Sequence, residues 1–161
     1  MPPTTGVGVS CLDHVVMAVS DLNRATVDLR ALGFTATAGG RHNDGRTENA
    51  LLAFADGTYI EVVGFTDAPN AREHRWWARL EEGEGLIDHC FAVADVERAK
   101  AAFEQSGRRA SEVLEGGRVR LDGAKLAWRT VQLGLGFGDP LLPFLIQDVT
   151  ARALRVPSGH A

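Results

Sequence analysis

Short β-rich apolar runs alternate along the chain with amphipathic stretches of helical period, and the alternation repeats once. Leu12-Asp13-His14-Val15-Val16-Met17-Ala18-Val19 leads to Asp21, after which Leu22, Ala25, Leu29 and Leu32 recur at helical spacing. Ile87-Asp88-His89-Cys90-Phe91-Ala92-Val93 leads to Asp95, after which Val96, Ala99 and Phe103 do the same. Asp21 and Asp95 suit an N-cap, because a carboxylate accepts from the unpaired amides of the first turn. Gly33 and Gly107 stand where a glycine would close each helix. The Asp-His pairs lie 75 positions apart, whereas Val19/Val93, Asp21/Asp95 and Gly33/Gly107 lie 74 apart. One residue must be absorbed between the histidine and the strand end, most simply by a bulge.

Strand material follows each helix. In the first copy it covers 34–38, 49–55 and 58–64, with Asp56-Gly57 as a hairpin turn. In the second it covers 109–114, 125–133 and 142–148, with turns at Asp122-Gly123 and 134–138. Residues 69–82 read as a connecting helix ended by Gly83-Glu84-Gly85. The predicted organisation is a βαβββ module over 10–66, a connector over 67–85, a second module over 86–150 and a tail over 151–161. One helix covers one face of a four-stranded sheet and leaves the other bare. The expected solution is an α+β fold in which both modules form one curved mixed sheet around a shared cavity, the natural place for a ligand.

That cavity gives meaning to three residues. His14 and His89 occupy the same position in the two copies, so a pseudo-twofold would bring their imidazoles together. Glu61 sits inside the apolar strand Tyr59-Ile60-Glu61-Val62-Val63, where a lone carboxylate is costly unless paired or bound to a metal. Two histidines and a glutamate leave open coordination positions and suit Fe(II), Zn, Mn, Co or Ni. The plainer reading of each histidine is a hydrogen-bonded core residue.

Composition removes competing classes. The chain has 161 residues, 45% apolar and 24% charged, with a net charge of −4, which argues against a disordered chain. Its basic residues are 15 Arg and 2 Lys, with no surplus over the acids of the kind a nucleic-acid surface needs. No signal peptide or membrane span is legible, so a cytoplasmic protein is expected, with neither nucleic acid nor membrane as partner. Cys11 and Cys90 read as small apolar residues in a reducing compartment.

The repeat and these segments resemble the vicinal oxygen chelate superfamily, and more narrowly its glyoxalase-like domain branch. The resemblance rests on Leu12-Asp13-His14-Val15-Val16, Gly39-Gly40-Arg41-His42, Thr47-Glu48-Asn49-Ala50-Leu51-Leu52, Tyr59-Ile60-Glu61, Leu121-Asp122-Gly123 with Trp128-Arg129, and Leu142-Pro143-Phe144-Leu145-Ile146. It covers about residues 10–150 and is specific for fold rather than reaction. Members of this branch often continue past the position of Ala161, so a further segment is expected.

The resemblance implies metal ligands on the first and last strands of each module. These positions map onto His14, Glu61, His89 and a fourth place that alignment gives to Phe144. Glyoxalase I uses a glutamate there to move a proton, which Phe144 cannot do, so true glyoxalase I activity is not expected. The implied activity is an isomerase, lyase or dioxygenase acting on a small vicinally oxygenated substrate chelated by a divalent metal ion. Asp148 is an alternative fourth ligand. The alternative of another class is a metal-free protein that sequesters an aromatic compound or antibiotic, as bleomycin-resistance proteins do. A homodimer is compatible with either.

Supporting positions are read as follows. His42, in a Gly-rich loop, is the candidate acid or base, with an exposed loop histidine as the plainer alternative. Trp128 and Phe144 are candidate substrate walls. Of Trp76 and Trp77, about 100° apart on a helix, at most one would face the ligand. Arg129 and Gln132 fall on opposite faces of their strand, so only one reaches the cavity.

Overall fold

The computed structural model describes residues 7–134 and 141–159. The first half runs β1 (Val9–Val19), α1 (Leu22–Ala31), β2 (Thr37–His42), β3 (Thr47–Ala53) and β4 (Tyr59–Phe65). A 3₁₀ turn (Ala71–Glu73) and α2 (Trp77–Glu82) lead to β5 (Gly85–Val93), α3 (Val96–Gln105), β6 (Leu114–Val119), β7 (Lys125–Gln132), β8 (Phe144–Asp148) and α4 (Arg152–Arg155). The strands close into a barrel in the order β1-β4-β3-β2-β6-β7-β8-β5. Within each half the first strand pairs parallel with the last, β1 with β4 and β5 with β8, and the remaining pairings are antiparallel.

The caps form as their residue types dictate. Asp21 accepts from the Arg24 amide at 2.9 Å and Asp95 from the Arg98 amide at 3.0 Å. Each helix then packs on the outside of the barrel. Leu22, Ala25 and Leu29 of α1 meet Leu52 and Val62, while Val96, Ala99 and Phe103 of α3 meet Val131 and Leu145. A third cluster, with Val16, Val63, Cys90, Phe144 and Ile146, forms inside the barrel. The alternation of strand faces therefore divides each apolar run between an outer and an inner core.

Three expectations shift. The connecting helix over 69–82 is two pieces, interrupted where His74 turns extended so that Trp76 can enter the core and donate from Nε1 to Asp88 at 2.7 Å. The second and sixth strands lie later than expected, at Thr37–His42 and Leu114–Val119. Their glycines read as loop residues but serve close packing. A Cβ on Gly39 would lie 2.0 Å from Asn49 Oδ1, and one on Gly116 would lie 2.2 Å from Trp128 Nε1. His42 is consequently the last residue of a strand. The expected tail over 151–161 carries α4, whose Arg155 is buried. The turn expected over 134–138 lies, beyond Gly134, outside the described residues. Among the described residues no helix is long and apolar enough to cross a membrane.

Candidate functional site

The barrel interior holds a cavity of about 410 Å³ whose lining includes His14, His42, Glu61, Arg118, Trp128 and Phe144. Strand alternation brings the first three together. His14 comes from β1, Glu61 from the middle of β4, and His42 from the end of β2, so each points inward from a different strand.

Glu61 is the centre of the cluster and only 5% exposed. Its Oε2 lies 3.3 Å from His14 Nε2, and its Oε1 lies 3.3 Å from His42 Nε2. Asn49 donates from Nδ2 to Oε1 at 2.7 Å. Both histidines are held through their other nitrogen. His14 Nδ1 lies 2.6 Å from Asp13 Oδ1, and His42 Nδ1 lies 2.7 Å from Thr47 Oγ1. Each Nε2 is thereby aimed at the carboxylate. The His14 ring also stacks on Tyr59, with centroids 4.6 Å apart, and meets the Phe144 ring edge-on at 5.4 Å.

Charge follows from these contacts. Burial alone would raise the Glu61 pKa, but hydrogen bonds and charge from His14 and His42 hold it well below the usual carboxylate range. Burial opposes the His14 imidazolium, yet Tyr59, Cys90 and the hydrogen-bonded Asp13 outweigh it and raise the pKa well above the ordinary value. Asp13 is likewise driven down against its burial by hydrogen bonds from His14 and Arg155.

His89 does not join this cluster. In the β1–β5 register His14 is opposite Cys90, and Val15 is opposite His89, with a register shift between Leu12 and His14. Directly opposed residues share a face, so Cys90 enters the interior beside His14. His89 instead lines a shallow groove with Val15, Arg79 and Glu82. The expected His14–His89 juxtaposition is therefore corrected: the bulge exchanges His89 for its neighbour.

The equivalence given to Phe144 agrees with the ladders. Val16 is opposite Glu61 in the β1–β4 ladder, and Cys90 is opposite Phe144 in the β5–β8 ladder. Val16 and Cys90 lie 74 positions apart, the offset of Asp21 and Asp95, so Phe144 stands in the second half where Glu61 stands in the first. Asp148, the alternative ligand, is occupied by Arg155 at 2.5 and 2.9 Å. Phe144 and Trp128 both line the cavity, and the Trp128 ring meets His42 edge-on at 6.0 Å. Gln132 lines it too, whereas Arg129 is not among the lining residues and pairs with Glu97 and Glu115. Trp76 is the connector tryptophan on the cavity, and Trp77 packs on Phe65.

Sequence reasoning missed Asn49, Tyr59, Cys90, Arg118 and Arg155 as parts of the site. Asn49 had a signal, a polar residue within an apolar strand like Glu61. Arg155 had none, because its role depends on where the chain end folds.

Two neighbouring ligands each about 2.0–2.1 Å from one tetrahedral ion lie about 3.4 Å apart. The 3.3 Å between His14 Nε2 and Glu61 Oε2 matches that spacing. His14 Nε2 is also buried and faces Glu61 Oε2 without a well-aligned hydrogen bond. The pair fits a divalent ion. Asp13, His14 and Cys90 bring ligand atoms within 4.8 Å of one another as well, but the Asp13 oxygens are taken by Arg155.

A closed eight-stranded barrel of two β-α-β-β-β halves, with a buried carboxylate and histidines inside it, is the vicinal oxygen chelate fold. Within that fold the chain belongs to the glyoxalase-like domain family, which matches residues 12–161. Among solved structures, a hypothetical protein from Staphylococcus aureus superimposes with a TM-score of 0.72 at 17% identity, covering 89% of this chain and 61% of that one. The chain thus spans about three-fifths of that protein's length. Methylmalonyl-CoA epimerase from Mycobacterium tuberculosis gives a TM-score of 0.65 at 21% identity, covering 92% and 93%. A Streptomyces coelicolor methylmalonyl-CoA epimerase variant, in complex with 2-nitronate-propionyl-CoA, gives 0.61 at 20%, covering 88% and 99%. At these identities the likeness is one of fold. No curated protein matches the chain in sequence.

Proposed function

We propose that the chain is a metal-dependent enzyme that moves a proton on a small substrate carrying two neighbouring oxygens, an isomerase or lyase type of reaction. The observation that carries this reading is the Glu61 carboxylate, buried and bracketed at 3.3 Å by the Nε2 atoms of two anchored histidines. His14 and Glu61 are the residues that would hold the ion. A divalent ion at this pair would act as a Lewis acid, lowering the pKa of a chelated hydroxyl or stabilising an enolate.

The chain's own groups supply the rest. Asp13 fixes the His14 ring so that Nε2 faces the cavity, the outer-shell orientation that metal-binding histidines need. Thr47 fixes His42 by its Nδ1, which leaves Nε2 as the atom that accepts or returns a proton. Asn49 holds Glu61 in place by its hydrogen bond to Oε1. Trp76, Trp128 and Phe144 exclude water from the reacting face and orient the substrate. Those same apolar walls support a second reading, in which the protein sequesters an apolar compound without a metal.

The two readings separate on purified protein equilibrated with Mn, Co, Ni, Zn or Fe(II). The wild type and His89→Ala should take up one ion per chain, while His14→Ala and Glu61→Gln should bind it at least about tenfold more weakly. Loss of binding in His89→Ala, or no uptake by the wild type, would defeat the metal reading. His42→Ala should keep the ion but lose exchange of substrate protons with solvent deuterium, followed by NMR.

A further inference from the structure

Four arginines line the cavity, and three of them have a carboxylate partner. Arg46 pairs with Asp44 at 2.9 Å, Arg75 with Asp88 at 2.6 Å, and Arg155 with Asp13 and Asp148. Arg118 is the exception. It is only 3% exposed, yet among the described residues no carboxylate lies within ion-pair distance. Its one hydrogen bond among those residues runs from Nη2 to the Arg155 carbonyl, and Nε is buried without a partner. A buried cation left in this state carries a desolvation cost that an apolar residue of similar size would not.

Its placement gives that cost a use. Arg118 is directly opposite His42 in the β2–β6 ladder, so both side chains share the inward face. The Glu61 carboxylate cannot serve as its counterion by direct contact, being held by Asn49 and flanked by the two histidines. Asp44 and Glu115, which also line the cavity, are engaged by Arg46 and Arg129. Glu73, the remaining acid of the lining among the described residues, is exposed at the connector.

We propose that Arg118 recognises a carboxylate of the substrate, and that the substrate class is a small 2-oxo or 2-hydroxy acid. Its carboxylate completes the hydrogen bonding of the Arg118 guanidinium, and its neighbouring oxygen turns toward His14, Glu61 and His42. The planar guanidinium suits this task, since it offers paired donors to two carboxylate oxygens. The inference rests on the proposed function for the use of the second oxygen, but the capture of the carboxylate does not require a metal.

The test uses the full chain with and without EDTA treatment, with pyruvate as the anionic probe and methyl pyruvate as its uncharged counterpart. In both states the wild type should bind pyruvate at least about tenfold more tightly than the ester, as one charge-assisted contact predicts. Saturating pyruvate should raise Tm by about 2–4 °C. Arg118→Met should be at least as heat-stable as the wild type without probe and should lose the preference for pyruvate. Arg118→Gln provides the same reading should the Met variant not fold. Equal binding of acid and ester by the wild type, no binding of pyruvate, or an undiminished preference in both variants would overturn the proposal. Failure of the metal site would appear separately, as absent metal uptake with the pyruvate preference intact.

Discussion

Arg155 closes on Asp13 across 142 positions of the chain, donating from Nη1 to Oδ1 at 3.0 Å and from Nη2 to Oδ2 at 2.9 Å. Asp13 in turn fixes His14, and Arg155 also donates to the Tyr59 hydroxyl at 2.7 Å. The C-terminal turn of helix is thus tied to both rings that stack at the site. Arg155→Met would remove the fully buried guanidinium from Asp13 and leave it with the His14 ring and the partly exposed Arg152. The expected cost is about 3–5 kcal/mol in urea unfolding. Metal affinity should fall about 10–100-fold through loss of His14 orientation. Adding Asp13→Asn should recover part of the stability but none of the metal binding.

Gly39→Ala tests the support of Glu61. The new methyl would collide with Asn49 Oδ1 and lie 2.9 Å from its Cγ. Asn49 cannot swing away freely, because it is buried and its Nδ2 holds Glu61. We expect destabilisation of about 1–3 kcal/mol, as for an overpacked core. Metal uptake should weaken as well, although no ligand has been altered.

His74 should give stability a distinct acid limb. Burial, with repulsion from Arg46 and Arg75 added, lowers its pKa from 6.5 to about 4. The unfolded chain therefore binds this proton at a higher pH than the folded protein. The His74 contribution to stability should drop as pH falls from 6.5 toward 4 and level off below, with a total on the order of 3 kcal/mol. His14, whose pKa is raised, contributes in the opposite sense and above that window. His74→Gln should flatten the limb between pH 6.5 and 4 in unfolding titrations.

The two cysteines should react very differently. Cys11 is exposed, while Cys90 is buried and burial pushes its thiol up to about 11. A thiol-specific reagent near neutral pH should label one cysteine quickly in the folded protein and both after denaturation. Two fast sites in the folded state would show that the interior beside His14 opens readily.

Much of this arrangement was legible in particular residues. Asp21 and Asp95 announced the two helices, and Glu61 announced an occupied interior, because a carboxylate in a Val-Ile strand must be compensated. The choice of second histidine was not legible. His89 matches His14 in the linear repeat, but a register shift in the β1–β5 pairing exchanges faces, and a strand's side chains alternate with every residue. His42 was visible as a candidate and misplaced in a loop, because Gly39 and Gly40 carry the composition of a turn while serving close packing against Asn49 and β6.

The sequence by itself determined the repeat, the α+β composition of each half and the need for a compensated acid within the fourth strand. Periodicity, capping residues and the cost of burying charge are local properties that pattern alone conveys. The tertiary structure decided which side chains meet: His42 rather than His89 beside Glu61, Cys90 opposite His14, Arg155 on Asp13, and Arg118 facing the cavity with no carboxylate partner among the described residues. Those meetings depend on strand register, barrel closure and the return of the chain's end. All three are set by long-range packing that no short stretch of sequence contains.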